Sequence, residues 1–117
     1  MKTTLLLEQI AQLALTVIGL NLLPISFPWW IWFLLFFSPD ISMLGYLINT
    51  KVGAISYNLF HHKLVAAIFI IIGYFLHENV LLTIGLLLYA HSSFDRIWGY
   101  GLKYADSFNH THLGKLK

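Results

Sequence analysis

The stretch PWWIWFLLFFSPDISMLGYLI, from Pro28 to Ile48, decides the fold class. It is apolar from Trp29 to Phe37, breaks at Ser38-Pro39-Asp40, and recovers as far as Ile48. A helix rises about 1.5 Å per residue and needs about 20 residues to cross the ~30 Å hydrocarbon core, so this run is one span long. Three comparable runs surround it: about Leu5 to Leu23, Ala54 to Leu76 and Val80 to Ile97. Barrel strands would be about half that length and would alternate apolar with polar residues. These runs do neither. The expectation is an all-α four-helix transmembrane bundle over residues 1–98, followed by a polar tail over residues 99–117.

Composition agrees. The 117 residues are 58% hydrophobic, 16% aromatic and 10% charged, where a soluble chain carries about 25% charged residues. A chain this short is one domain, and in water it would have to expose much of that apolar surface. The solvent for most of it is therefore the lipid bilayer. With no cysteine, disulfides, thiolate metal sites and cysteine nucleophiles are excluded. A net charge of +2 spread over scattered bases excludes nucleic acid as a partner. Glu8, Gln9 and Gln12 interrupt the first apolar run, so it reads as a helix rather than a removable leader.

Orientation follows from charge. With four spans, the N-terminus, the Lys51 to Lys63 connection and the tail share one side. That side holds Lys2, Lys51, Lys63, Arg96, Lys103, Lys115 and Lys117, every Lys and Arg in the chain. The opposite loops, residues 21–27 and 77–79, carry none. The positive-inside rule puts both termini in the cytoplasm of a multi-pass cell-membrane protein, and Trp29, Trp30 and Trp32 at the outer interface.

Ionisable groups inside a bilayer cost about 2.5 to 3.5 kcal/mol each on insertion scales, which makes them functional candidates by default. Counted from the outer ends of their helices, Asp40 and His91 each lie roughly 18 Å deep, His62 roughly 21 Å and Glu8 roughly 22 Å. One ionisable group from each helix falls in one layer. His91 and Asp95, four residues apart, share a helix face. Pro39 lacks an N–H and so frees a carbonyl one turn upstream. Broken backbone at this depth is tolerated only inside protein or beside a wet cavity. The expectation is a polar pocket open to the cytoplasm, built from Asp40, His61, His62, His91 and Asp95.

Carboxylates with imidazoles and no thiolate suit a divalent metal such as Zn, Mn or Fe. Such an ion lowers the pKa of a bound water and makes it a nucleophile near neutral pH. On that reading Asp40, His61, His62, His91 and Asp95 are ligands. Asp40 and Glu8 are the catalytic carboxylates, and Lys63 and Arg96 hold a substrate head group. No compact ligand motif supports it. Two other classes compete. Asp, Glu and His chains also serve transporters and proton relays, though four helices would then need a homo-oligomer. A structural or interaction protein would use the same groups as interhelical glue. Each residue also has a plainer reading: Glu8 snorkelling, His61-His62-Lys63 as a polar helix start, Asp95-Arg96 as an interfacial charge pair. His110 and His112 have ligand character as well, in a tail whose Tyr100, Tyr104 and Phe108 would permit it to fold back.

Three blocks carry a resemblance: residues 39–46 (PDISMLGY), 57–62 (YNLFHH), and 91–96 (HSSFDR) followed by 99–104 (GYGLKY). They resemble a domain-of-unknown-function family of small bacterial integral membrane proteins, over nearly the whole chain. The resemblance implies a short multi-span membrane protein and brings no activity or substrate with it.

Overall fold

A computed structural model of the chain describes residues 1–115. Lys117, used in the charge argument, lies outside the described residues. The architecture is all-α: α1 (Lys2–Leu22), α2 (Trp29–Phe37), a 3-10 helix (Ser38–Leu47), α3 (Thr50–His61), α4 (Lys63–Phe75) and α5 (Asn79–Ile97). The tail adds a two-stranded antiparallel hairpin, β1 (His110–Thr111) and β2 (Gly114–Lys115). α1, the run Trp29–Leu47 and α5 are each long and apolar enough to cross a membrane, and the bent pair α3–α4 makes a fourth candidate. Large apolar side chains face outward along all of them, among them Leu15, Phe33, Leu47 and Phe75. A lipid-facing surface has this character, with the polar groups turned inward.

Two expected helices differ in detail. The run 28–48 is α-helical only to Phe37 and then winds as a 3-10 helix for ten residues. Such runs seldom exceed 3–4 residues; local sequence starts this one, and packing on α3 carries it on. Pro39 withholds an N–H, Ser38 Oγ donates to the Leu35 carbonyl, and Ser42 Oγ donates to the Pro39 carbonyl. In a 3-10 helix residues three apart eclipse one another, so Pro39, Ser42 and Gly45 form one narrow face. That face packs on α3, where Ser56 Oγ donates to the Ser42 carbonyl at 2.9 Å. The expected helix 54–76 is in fact two, α3 and α4, bent by 42°. His62 sits at the break with extended backbone, and its side chain accepts from Leu64 N–H as the cap of α4.

α5 is the hub, packing against α1, α2, α3 and α4. Its first turn is capped by Glu78, whose carboxylate accepts from Val80 N–H. It ends at Gly99, whose φ of 88° is the left-handed conformation that terminates helices and favours glycine. Tyr100 N–H then donates back to the Asp95 carbonyl at 2.9 Å. The tail is thereby turned back toward the bundle. It brings Leu113 and His112 beside Leu5 and Leu6 of α1, so both ends of the described chain meet at one end of the molecule.

Candidate metal centre

Four side chains converge where the 3-10 helix, α3 and α5 meet. Asp40 is the third residue of the 3-10 helix, His61 the last residue of α3, and His91 and Asp95 lie on one face of α5. His61 Nε2 lies 3.5 Å from Asp40 Oδ1 and 3.2 Å from Asp95 Oδ2. His91 Nε2 lies 3.1 Å from Asp40 Oδ1 and 3.3 Å from Asp95 Oδ2. One donor atom from each residue lies within 4.8 Å of every other. His91 and His61 are 0% and 3% exposed, Asp95 15% and Asp40 41%, so the cluster is closed except on the Asp40 side.

The far nitrogens of the two rings fix their orientation. His91 Nδ1 lies 2.7 Å from the Phe36 carbonyl, and His61 Nδ1 lies 2.8 Å from the Tyr57 carbonyl. A carbonyl only accepts, so both Nδ1 atoms donate. In the neutral rings the Nε2 lone pairs therefore point at the carboxylates. The Phe36 carbonyl is free for a reason written in the sequence: in a 3-10 helix its partner would be the N–H of residue 39, which is Pro39. Tyr57 completes the shell. Its ring stacks on His61 at 3.8 Å and its hydroxyl donates to Asp95 Oδ2 at 3.3 Å. Ser92 Oγ donates to the His61 carbonyl, pinning α3 to α5.

Four acceptor atoms facing one another repel unless a cation lies among them. A tetrahedral ion with ligand bonds of about 2.0 Å sets neighbouring ligand atoms about 3.3 Å apart. Four of the six donor pairs here fall between 3.1 and 3.5 Å. The residues present fit a divalent metal with two nitrogen and two oxygen ligands.

The other expected residues lie elsewhere. His62 is exposed and spent on its capping hydrogen bond. Glu8 is exposed on α1, a helix whose main packing partner is α5. Lys63 donates to Gln9 Oε1 and Gln12 Oε1 of α1, and Tyr89 OH donates to Gln12 Oε1 at 3.2 Å. Arg96 points toward α1 and the tail. In the tail, His110 pairs with Asp106 at 3.0 Å, while His112 Nδ1 accepts from Leu102 N–H. The Asp106 carboxyl is held below the usual range, chiefly by that His110 contact.

The tail also covers the cluster's flank. Asn58 clamps the backbone of residue 103 from both sides, donating to its carbonyl at 2.8 Å and accepting from its N–H. Lys103 is only 4% exposed. Its Nζ lies over the rings of Phe108 (3.9 Å), Tyr57 (4.7 Å) and Tyr100 (5.5 Å). Burial brings its amine down to about 8, against the opposing pull of Asp95. Neither Tyr57 nor Lys103 is among the site residues expected from the sequence. Tyr57 stands four residues before His61, the spacing of one helix face, and that signal would have found it. No local spacing announces Lys103.

Neither a curated protein nor a solved structure matches the chain. A family profile described as Domain of unknown function (DUF4260) matches residues 2–116, and the chain belongs to that family.

Proposed function

We propose that the chain is a multi-pass protein of the cell membrane, with both termini cytoplasmic, whose Asp40, His61, His91 and Asp95 bind one divalent metal ion. The centre hydrolyses a membrane-borne substrate. A single observation carries the metal reading: both Nδ1–H groups are committed to backbone carbonyls, which leaves four acceptor atoms aimed at one point. Ligating histidines are typically fixed in this way through the other ring nitrogen. Zn, Mn and Fe all accept such a mixed imidazole and carboxylate set.

An ion that expands beyond these four ligands to take up a water would acidify that water and act as a Lewis acid. The chain's own groups do the rest. His61, His91 and Asp95 are the buried holders, and Tyr57 OH orients the Asp95 carboxylate. Asp40, the most exposed of the four, stands at the opening and is the group placed to take a proton from an entering water or substrate. Glu8, His62 and Lys63 have no part in this centre.

Metal analysis of protein purified after growth with zinc, manganese and iron tests the first step. About one equivalent per chain is expected for the wild type, and a near-empty site for Asp40→Ala and His91→Ala; a metal-free wild type sinks the reading. Turnover is tested by release of water-soluble head groups from extracted lipids. A loaded protein without turnover leaves a structural metal site. A proton relay remains the second reading, because two protons neutralise the four groups as well as one ion does. Proton flux in liposomes that Asp40→Asn abolishes would favour it.

A further inference from the structure

A second site lies on the other side of α5. The first turns of α1, the last turn of α5 and the tail surround a cavity of about 560 Å³. Its wall carries Lys2, Arg96 and His112 and no carboxylate. Arg96 has no ion-pair partner among the described residues. An unmatched guanidinium, half-buried and backed by two more bases, attracts an anion.

The neighbouring groups are set to donate. His112 Nδ1 accepts the Leu102 N–H at 2.7 Å, so in the neutral ring the hydrogen is on Nε2. Burial first, and the Arg96 charge second, hold that imidazole below its ordinary value. Gln9, which also lines the cavity, spends its carbonyl oxygen on Lys63. Its amide N–H groups are what remain for a ligand. The rest of the wall is apolar, including Leu5 and Leu6, with Trp98 exposed at the rim. Donors gathered round an arginine, with aliphatic side chains below and an exposed indole beside, match an amphiphile with an anionic head.

The geometry points to a site for the phosphate of an anionic lipid head group, gripped by Arg96 with Lys2, His112 and Gln9 as further donors, its acyl chain lying along Leu5 and Leu6. Free phosphate shares the head-group chemistry and lacks the chain. The site is independent of the metal reading, because Asp95 and Arg96 are successive residues and diverge by about 100° around the helix.

The full chain in zwitterionic detergent is titrated separately with phosphatidylglycerol, phosphatidylcholine and inorganic phosphate. Bound lipid is counted by native mass spectrometry, and thermal unfolding is followed in parallel. Phosphatidylglycerol is expected to bind at least about tenfold more tightly than phosphatidylcholine, the worth of one charge-assisted contact. Arg96→Gln should erase that preference, and Lys51→Gln, which removes an exposed charge elsewhere, should keep it. Equal binding of the two lipids overturns the site, as does an Arg96→Gln variant that behaves like Lys51→Gln. If inorganic phosphate shifts unfolding as far as phosphatidylglycerol does, the lipid assignment falls and a soluble phosphate takes its place. Should Arg96→Gln fail to fold, Arg96→Lys decides. It keeps the charge and loses the fork, so a several-fold drop in preference supports the site and an unchanged preference overturns it.

Discussion

Lys103 shows how one side chain can join two parts of the molecule. Its stem closes the tail over α3, and its ammonium sits among Tyr57, Tyr100 and Phe108, where ring faces partly replace water. The replacement is incomplete, since burial lowers its pKa to about 8. The folded state therefore resists the charged form. Between pH 8 and about 10.5 the unfolded chain binds more protons than the folded one, so stability rises with pH across that window. Lys103→Met removes the titration. The difference in stability between wild type and variant should then change by on the order of 1 kcal/mol from pH 7 to pH 10.5, after allowing for solvent screening. Chemical unfolding at both pH values measures it; a difference independent of pH would contradict the burial argument. At this scale the sequence was most legible for Asp40, His91 and Asp95, because a charge at membrane depth needs a reason. It did not separate His61 from His62. Adjacent residues differ by about 100° in direction on a helix, and the break between them decides which one turns inward.

At the scale of elements, the four apolar runs were plain and their internal joints were not. Pro39 announced a disturbance, yet nothing local requires ten residues of 3-10 helix. That geometry depends on α3 receiving the face formed by Pro39, Ser42 and Gly45. The bend at His62 is likewise tertiary, for it lets α3 deliver His61 while α4 runs along α5. That second contact is close. A Cβ placed on Gly85 would lie 2.7 Å from the Ile70 backbone nitrogen and 2.9 Å from the Ala66 carbonyl oxygen. Backbones pack this tightly in membranes only through small residues. Gly85→Val should force α4 and α5 apart and destabilise the protein by about 1 to 3 kcal/mol, the usual cost of overpacking. Because His91 lies beyond the crossing on the same helix, the affinity of the proposed metal site should fall together with the unfolding temperature. A chelator titration beside a thermal melt checks the pair; a variant with unchanged stability would show that the crossing is loose.

The whole molecule has two unlike ends. The turns at residues 21–28 and 76–78 carry no Lys or Arg, whereas the start of α1, the start of α3, the α3–α4 joint, the end of α5 and the tail carry the bases. The Asp/His cluster and the cationic cavity both involve the last turns of α5, and the tail borders both. Its extents of 41 × 35 × 28 Å suffice for a hydrocarbon layer of about 30 Å, and in the proposed topology its polar chemistry faces one side of the membrane. In that topology the positive-inside rule places that face in the cytoplasm. Since the chain has no cysteine, single cysteines can report the assignment without background. Ser26→Cys lies in the base-free turn between α1 and α2, and Ala105→Cys in the exposed part of the tail. In intact cells a membrane-impermeant maleimide should label Ser26→Cys and spare Ala105→Cys, and permeabilised cells should yield both. The reverse pattern would turn the bundle over, presenting the Asp40 opening and the Arg96 cavity to the outer leaflet. The substrate and the lipid proposed for them would then have to be sought there.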